Sequence, residues 1–146
     1  MKLYRIITIF VLCIFTSVIA EAQCKTFAKR DCLPLLGPYI HDGNYHAAQL
    51  VAGEEAEMYK TFYSDMDYRV VVCGEENLQN IEFLVMDANR NVLYSNKENG
   101  YNKTWDFKLQ SSQQLKLVIK VSSPSKSGGI PASGCVAIMF GFNAKK

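Results

Sequence analysis

From Gly37-Pro38 onward the chain alternates apolar and polar residues in short runs separated by turn formers, the pattern of half-buried strands rather than helices. Trp105, Phe107 and Leu109 recur at every second position around Asp106 and Lys108, and Leu115, Leu117, Ile119 and Val121 repeat the code around Lys116 and Lys120. A period of two sends alternate side chains to opposite faces of a sheet, so each run has one buried and one wet face. Residues 45–51 predict a first strand, ended at Gly53. Residues 56–63 and 68–73, separated by Ser64-Asp65-Met66-Asp67, predict an antiparallel hairpin. Residues 81–86 and 92–94 flank Asp87-Ala88-Asn89-Arg90-Asn91, whose Asp and Asn side chains favour a turn, and predict a second hairpin. After a Ser/Gly/Pro-rich loop at 122–133, residues 135–142 are apolar almost throughout, which predicts burial on both faces. About eight evenly spaced strands are too many for one open sheet with a wet face, so the expected fold is all-β, an antiparallel two-sheet β-sandwich of jelly-roll or similar type.

The leading residues differ in kind. Met1-Lys2-Leu3-Tyr4-Arg5 is a short positive start, residues 6–19 are apolar except for Thr8, Thr16 and Ser17, and Ala20-Glu21-Ala22 has the small residues of a signal-peptidase site. Together they predict a secretory signal peptide cut before Gln23. The run is shorter than the roughly 20 residues of a membrane-spanning helix. Cys24 follows Gln23 rather than a small residue, and Cys13 lies inside the apolar run, so neither matches a lipoprotein anchor. The expected organisation is a signal peptide at 1–22, an N-terminal cap segment at 23–36 and a β-sandwich domain at 37–146, exported to the periplasm or beyond.

Loss of the signal would remove Cys13 and leave Cys24, Cys32, Cys73 and Cys135. Four cysteines in an exported chain read as two disulfides, and the absence of any C-x-x-C pair argues against zinc. If residues 24–33 form a short helix, Cys24 and Cys32 stand about 12 Å apart, beyond the roughly 7 Å that a disulfide spans. Each would then pair with Cys73 or Cys135. If the segment is not helical, a Cys24–Cys32 link with Cys73–Cys135 is the alternative.

Composition adds mostly exclusions. With 49% hydrophobic and 21% charged residues the 146-residue chain has the make-up of an ordinary globular domain. Its 16 basic and 14 acidic residues are spread along the sequence, leaving no basic footprint for nucleic acid. A mature chain of this size buries roughly 65% of its unfolded surface, enough for one core.

The densest polar cluster is His41-Asp42-Gly43-Asn44-Tyr45-His46. Two imidazoles and a carboxylate suit a transition metal, so His41, Asp42 and His46 are weak metal candidates, although Asp-Gly-Asn is also turn chemistry in its own right. Ser123-Pro124-Ser125-Lys126 matches S-x-x-K without the partner motifs of penicillin-recognising enzymes. Glu54, Glu55 and Glu57 offer a carboxylate pair for glycoside hydrolysis, but read more simply as solvated surface. Asn102-Lys103-Thr104 is formally a glycosylation sequon. No catalytic residue is assigned and no cofactor is expected. Among the aromatics, which together make a platform for a sugar or a protein, Tyr94, Tyr101 and Trp105 are the ligand-binding candidates.

The stretch from Thr61 to Gly141, with Tyr68-Arg-Val-Val-Val, Phe83-Leu-Val-Met-Asp-Ala-Asn-Arg-Asn-Val-Leu, Trp105-Asp-Phe and Gly134-Cys-Val-Ala-Ile, resembles exported β-sandwich modules of the pre-peptidase C-terminal type. The whole chain, with its Cys-Leu-Pro and Tyr-Ile-His-Asp-Gly runs, is similar to small secreted proteins of Bacteroidetes. These resemblances imply a periplasmic or extracellular place and a non-catalytic role. The expected function is an exported binding or adhesion module whose partner is an envelope glycan or a protein, not a nucleic acid, and which is not integral to the membrane. An envelope-associated structural protein and a small secreted hydrolase or inhibitor are the alternatives.

Overall fold

The computed structural model describes residues 18–123 and 129–144. The start and most of the apolar run of the expected signal peptide, and Pro124 to Lys126 of the S-x-x-K match, lie outside the described residues.

Nine strands are found among the described residues: β1 (Ile40–His41), β2 (His46–Val51), β3 (Glu55–Phe62), β4 (Met66–Gly74), β5 (Ile81–Met86), β6 (Val92–Ser95), β7 (Thr104–Lys108), β8 (Gln113–Val121) and β9 (Ser133–Ala144). In one sheet β9 is central, with β4 and then β7 on one side and β1 and β2 in succession along the other. The second sheet runs β3-β8-β5-β6. All pairings are antiparallel, and the two sheets form the expected all-β sandwich. Period-two alternation supplies the core directly. Leu115, Leu117, Ile119 and Val121 of β8 meet Val70 and Val72 of β4 and Val136, Ile138 and Phe140 of β9, with Phe62 and Phe83 wholly buried among them. Each such side chain contributes roughly 1.5–3 kcal/mol when fully buried.

The apolar run in β9 has a second cause besides the sandwich. Its other face, Cys135, Ala137 and Met139, is covered together with Val71 and Cys73 of β4 by a helical cap. The cap begins in α1 (Val18–Phe27), whose first five residues fall within the expected signal peptide, and continues through a π-helical turn at Ala28–Cys32 and a 3-10 turn at Leu33–Leu36 with Pro34 near its start. Cys24, Phe27, Ala28, Cys32 and Leu36 point onto the sheet. Two devices hold the end of the cap. Arg69 of β4 makes a two-pronged pair with Asp106 of β7, both contacts 2.6 Å, donates to the Leu35 carbonyl at 3.3 Å and lies over the Tyr39 ring. Gly141 lets the chain at 36–40 pass close over β9, since a Cβ there would stand 2.6 Å from that of Tyr39.

Helical geometry through the leading segment keeps Cys24 and Cys32 apart, and Cys24 is bonded to Cys135 across 111 residues, with Cα atoms 5.1 Å apart. Of the two disulfides that the four cysteines predict, the Cys24–Cys135 bond is formed, while Cys32 and Cys73 are free cysteines, both buried in the same small core beneath the cap.

One sequence expectation fails. Residues 56–63 and 68–73 do not form a hairpin: β3 pairs with β8, whereas β4 pairs with β7 and β9 in the opposite sheet. The short link turns a corner between sheets, pinned where the Tyr63 amide donates to the Tyr68 hydroxyl at 2.9 Å and the Ser64 amide donates to the Ser112 hydroxyl. A turn sequence reports that the chain reverses, not which sheet it rejoins. Phe62 and Tyr68 go to opposite sheets because both rings then enter one core, where they meet edge to face at 4.9 Å. The second hairpin, β5 with β6, forms as expected. Its Asp87 carboxylate accepts from the amides of Asn89 and Asn91 and from the Asn91 side chain, which holds that carboxyl below the usual carboxylate range.

Candidate functional site

A sandwich of two open sheets has two seams where edge strands face one another, and this chain treats them differently. At the β6/β7 seam Tyr94, Trp105, Phe107 and Tyr68 stack in succession, with centroids 4.8, 4.2 and 5.5 Å apart. Tyr94 also packs on Phe83. Period-two alternation turns Trp105 and Phe107 inward, and the short β6 brings Tyr94 opposite them. The rings seal the seam against the core, and burial raises the pKa of the Tyr94 hydroxyl. Two of the three aromatic candidates, Tyr94 and Trp105, are thus together but engaged in packing.

Tyr101 lies elsewhere, in a turn at φ 57°. It lines a recess of about 250 Å³ with Asn96, Lys103 and Glu76 at one end of the sandwich. The tyrosines that present most surface are Tyr59 and Tyr63, 60% and 57% exposed along one edge.

The β2/β3 seam is built from different residues. Among the described residues each of these strands pairs on one side only. The link between β1 and β2 carries Asp42, whose carboxylate takes the Asn44 amide at 2.9 Å in an Asx turn and the Lys60 ammonium of β3 at 2.7 Å. Lys60 points inward from an edge strand, an orientation that discourages strand pairing with another chain. Its ammonium lies 4.6 Å from the centre of the Phe140 ring. This pair clasps the two sheets across the upper seam. Burial pushes the Asp42 carboxyl upward, but Lys60 and Asn44 outweigh it and hold the group below its ordinary value. The His46 ring packs edge to face on Phe140 at 5.7 Å, and burial lowers its pKa.

Below the clasp the seam opens. A groove of about 270 Å³ runs between β2 and β3, walled by Ala48, Leu50, Ala56 and Met58, floored by Ile119 and Val136, with His46 at its upper end. Small alanines on both edges keep it from closing. This groove with its charged clasp is the candidate binding site. It combines an apolar wall with a few placed polar groups, the usual make-up of a recognition surface.

The metal-candidate residues divide between roles. His41 Nε2 meets the Asn44 carbonyl at 3.0 Å and its ring packs on Tyr45, Asp42 is engaged by Lys60, and His46 faces Phe140. Among the described residues no group of three His, Cys, Asp or Glu side chains is placed to hold a metal ion. The acidic run is committed to local partners: Glu54 accepts from the Val51 amide, Glu55 faces Lys120 across the β3/β8 ladder and Glu57 reaches Lys116 diagonally along it.

Sequence reasoning missed Lys60 and Asn96. Lys60 follows the alternation of β3 yet is charged at an inward position, the one signal that could have drawn attention to it. Asn96, 2% exposed, has no local signature at all.

No family model and no curated protein matches the chain. Among solved structures, the Aeromonas hydrophila protein PliG, a periplasmic lysozyme inhibitor of g-type lysozyme, is similar in fold, with a TM-score of 0.52 and 9% identity over 73% of this chain and 89% of that one.

Proposed function

We propose that the chain is an exported, non-catalytic binding module that engages a protein, and that the partner is a lysozyme-type cell-wall hydrolase which it inhibits. The groove between the free edges of β2 and β3 carries this reading. Its apolar wall suits side chains better than the hydroxyl-rich faces of a glycan, and the free backbone edge of β2 can pair with an extended segment of a partner. The acidic side chains nearest to it are held by Lys60, Lys116 and the Val51 amide, which leaves them poorly placed for proton transfer. Likeness in fold to a periplasmic lysozyme inhibitor supplies the partner class. A secretory signal at 1–22 delivers the protein to the compartment where such enzymes work, and among the described residues no helix is long and apolar enough to cross a membrane.

The test is titration of the secreted protein into purified muramidases of different types, read by calorimetry and by clearing of cell walls. One type should bind stoichiometrically with a dissociation constant below about 1 μM, equivalent to about −8 kcal/mol, and lose activity. Ala48→Arg and Met58→Glu should each weaken binding at least tenfold. Full muramidase activity at excess folded protein, with thermal stabilisation by peptidoglycan oligosaccharides instead, would replace the protein partner with a glycan.

A further inference from the structure

Cys32 and Cys73 stand apart from the seams. They lie in the small core between cap and sheet, 0% and 3% exposed. Cys32 closes the π-helical turn and Cys73 sits near the end of β4, so they join the same two layers that the Cys24–Cys135 bond already joins. Both belong to one buried cluster, and the neighbouring Cys73 side chain and burial push the Cys32 thiol pKa upward. They differ in access. Cys73 forms part of the wall of a polar cleft of about 290 Å³ between the cap and the β4–β5 link, ringed by Arg30, Asp31, Glu75 and Lys103. Cys32 does not line that cleft.

We infer that Cys32 and Cys73 are a second covalent staple between cap and sheet, closed through Cys73 by exchange with a disulfide-bearing oxidant that enters the polar cleft. The Cys73 thiol loses its proton to water, and the thiolate attacks one sulfur of the oxidant. The oxidant's disulfide breaks, its other sulfur leaves as a thiolate and is protonated, and a mixed disulfide remains on Cys73. The Cys32 thiol then gives up its proton and its sulfur attacks that of Cys73, expelling the second thiolate. Two protein thiols are oxidised to one disulfide, and one oxidant disulfide is reduced to two thiols. Because Cys73 and not Cys32 lines the cleft, Cys32 is the resolving rather than the attacking group.

Oxidised glutathione is the probe. After incubation with it, the secreted protein unfolded in alkylating reagent should carry no alkylated cysteine, and proteolysis should yield one peptide pair joined through Cys32 and Cys73 beside the Cys24–Cys135 pair. Folded Cys32→Ser should accumulate a glutathione adduct on Cys73. Folded Cys73→Ser should modify Cys32 at least tenfold more slowly, and the difference should vanish in denaturant. Alkylation of both Cys32 and Cys73 in the treated protein would overturn the staple. Equal rates in the two folded variants would overturn the entry through Cys73.

Discussion

Asn96 shows how much one buried polar side chain can hold. Its Oδ1 accepts from the Phe83 amide at 2.8 Å and its Nδ2 donates to the Ile81 carbonyl at 2.9 Å, so the side chain takes both positions that a strand would fill beside β5. Its own carbonyl accepts from the amides of Asn99 and Tyr101, which shapes the 3-10 turn at Lys97–Asn99. Asn96→Ala should cost about 2–4 kcal/mol in urea denaturation, since two buried backbone groups lose their partners. Asn96→Asp keeps the acceptor and loses the donor, and should be less stable at pH 7 than at pH 4, where the acid is neutral. His46 titrates in a different range. Burial depresses its folded pKa below the ordinary 6.5, so between the folded value and 6.5 the unfolded chain holds more protons than the folded one. Stability should therefore fall as pH drops through 6.5 toward the folded pKa. The difference in urea midpoint between pH 7.5 and pH 5.5 should shrink in His46→Gln, and an unchanged difference would assign the slope to another group.

At the scale of elements, the two seams of one sandwich are closed by unlike physics. Stacked rings seal β6 against β7, whereas a single ion pair clasps the β1–β2 link to β3 and leaves the groove below it open. The clasp is sheltered, with the Lys60 and Asp42 side chains 23% and 12% exposed, so it is worth more than a surface pair but not the full strength of a buried one. Lys60→Met should lower stability by about 1–3 kcal/mol by leaving a half-desolvated carboxylate without its cation. Adding Asp42→Asn should recover part of that loss, and a double-mutant cycle by chemical denaturation would measure the coupling. Strand identity was legible here: the segments read as β2, β3, β5, β7, β8 and β9 fall where the alternation put them. Pairing was legible only for β5–β6, where the turn chemistry of Asp87 to Asn91 is local. The corner between β3 and β4 has an equally good turn sequence and leads into a different sheet.

For the molecule as a whole, the cap is required because β4 and β9 are apolar on both faces and one of those faces lies under it. The Cys24–Cys135 bond closes 111 residues, and a loop of that length corresponds to about 4–5 kcal/mol in the chain-entropy account. Cys24→Ser should lower the melting temperature by roughly 15 °C in calorimetry, and a shift of only a degree or two would mean that packing alone retains the cap.

Patterning close along the chain determined the strand periods, the two-sided burial of β9 and the helical spacing that separates Cys24 from Cys32. These depend on a residue and its near neighbours, and the chain carries them wherever it folds. Tertiary structure decided which strands became edges, which seam stayed open, that Lys60 meets Asp42 and that Asn96 stands in for a strand. Each depends on register between segments distant in sequence, and register is set by how two whole faces fit together rather than by any run of residues alone.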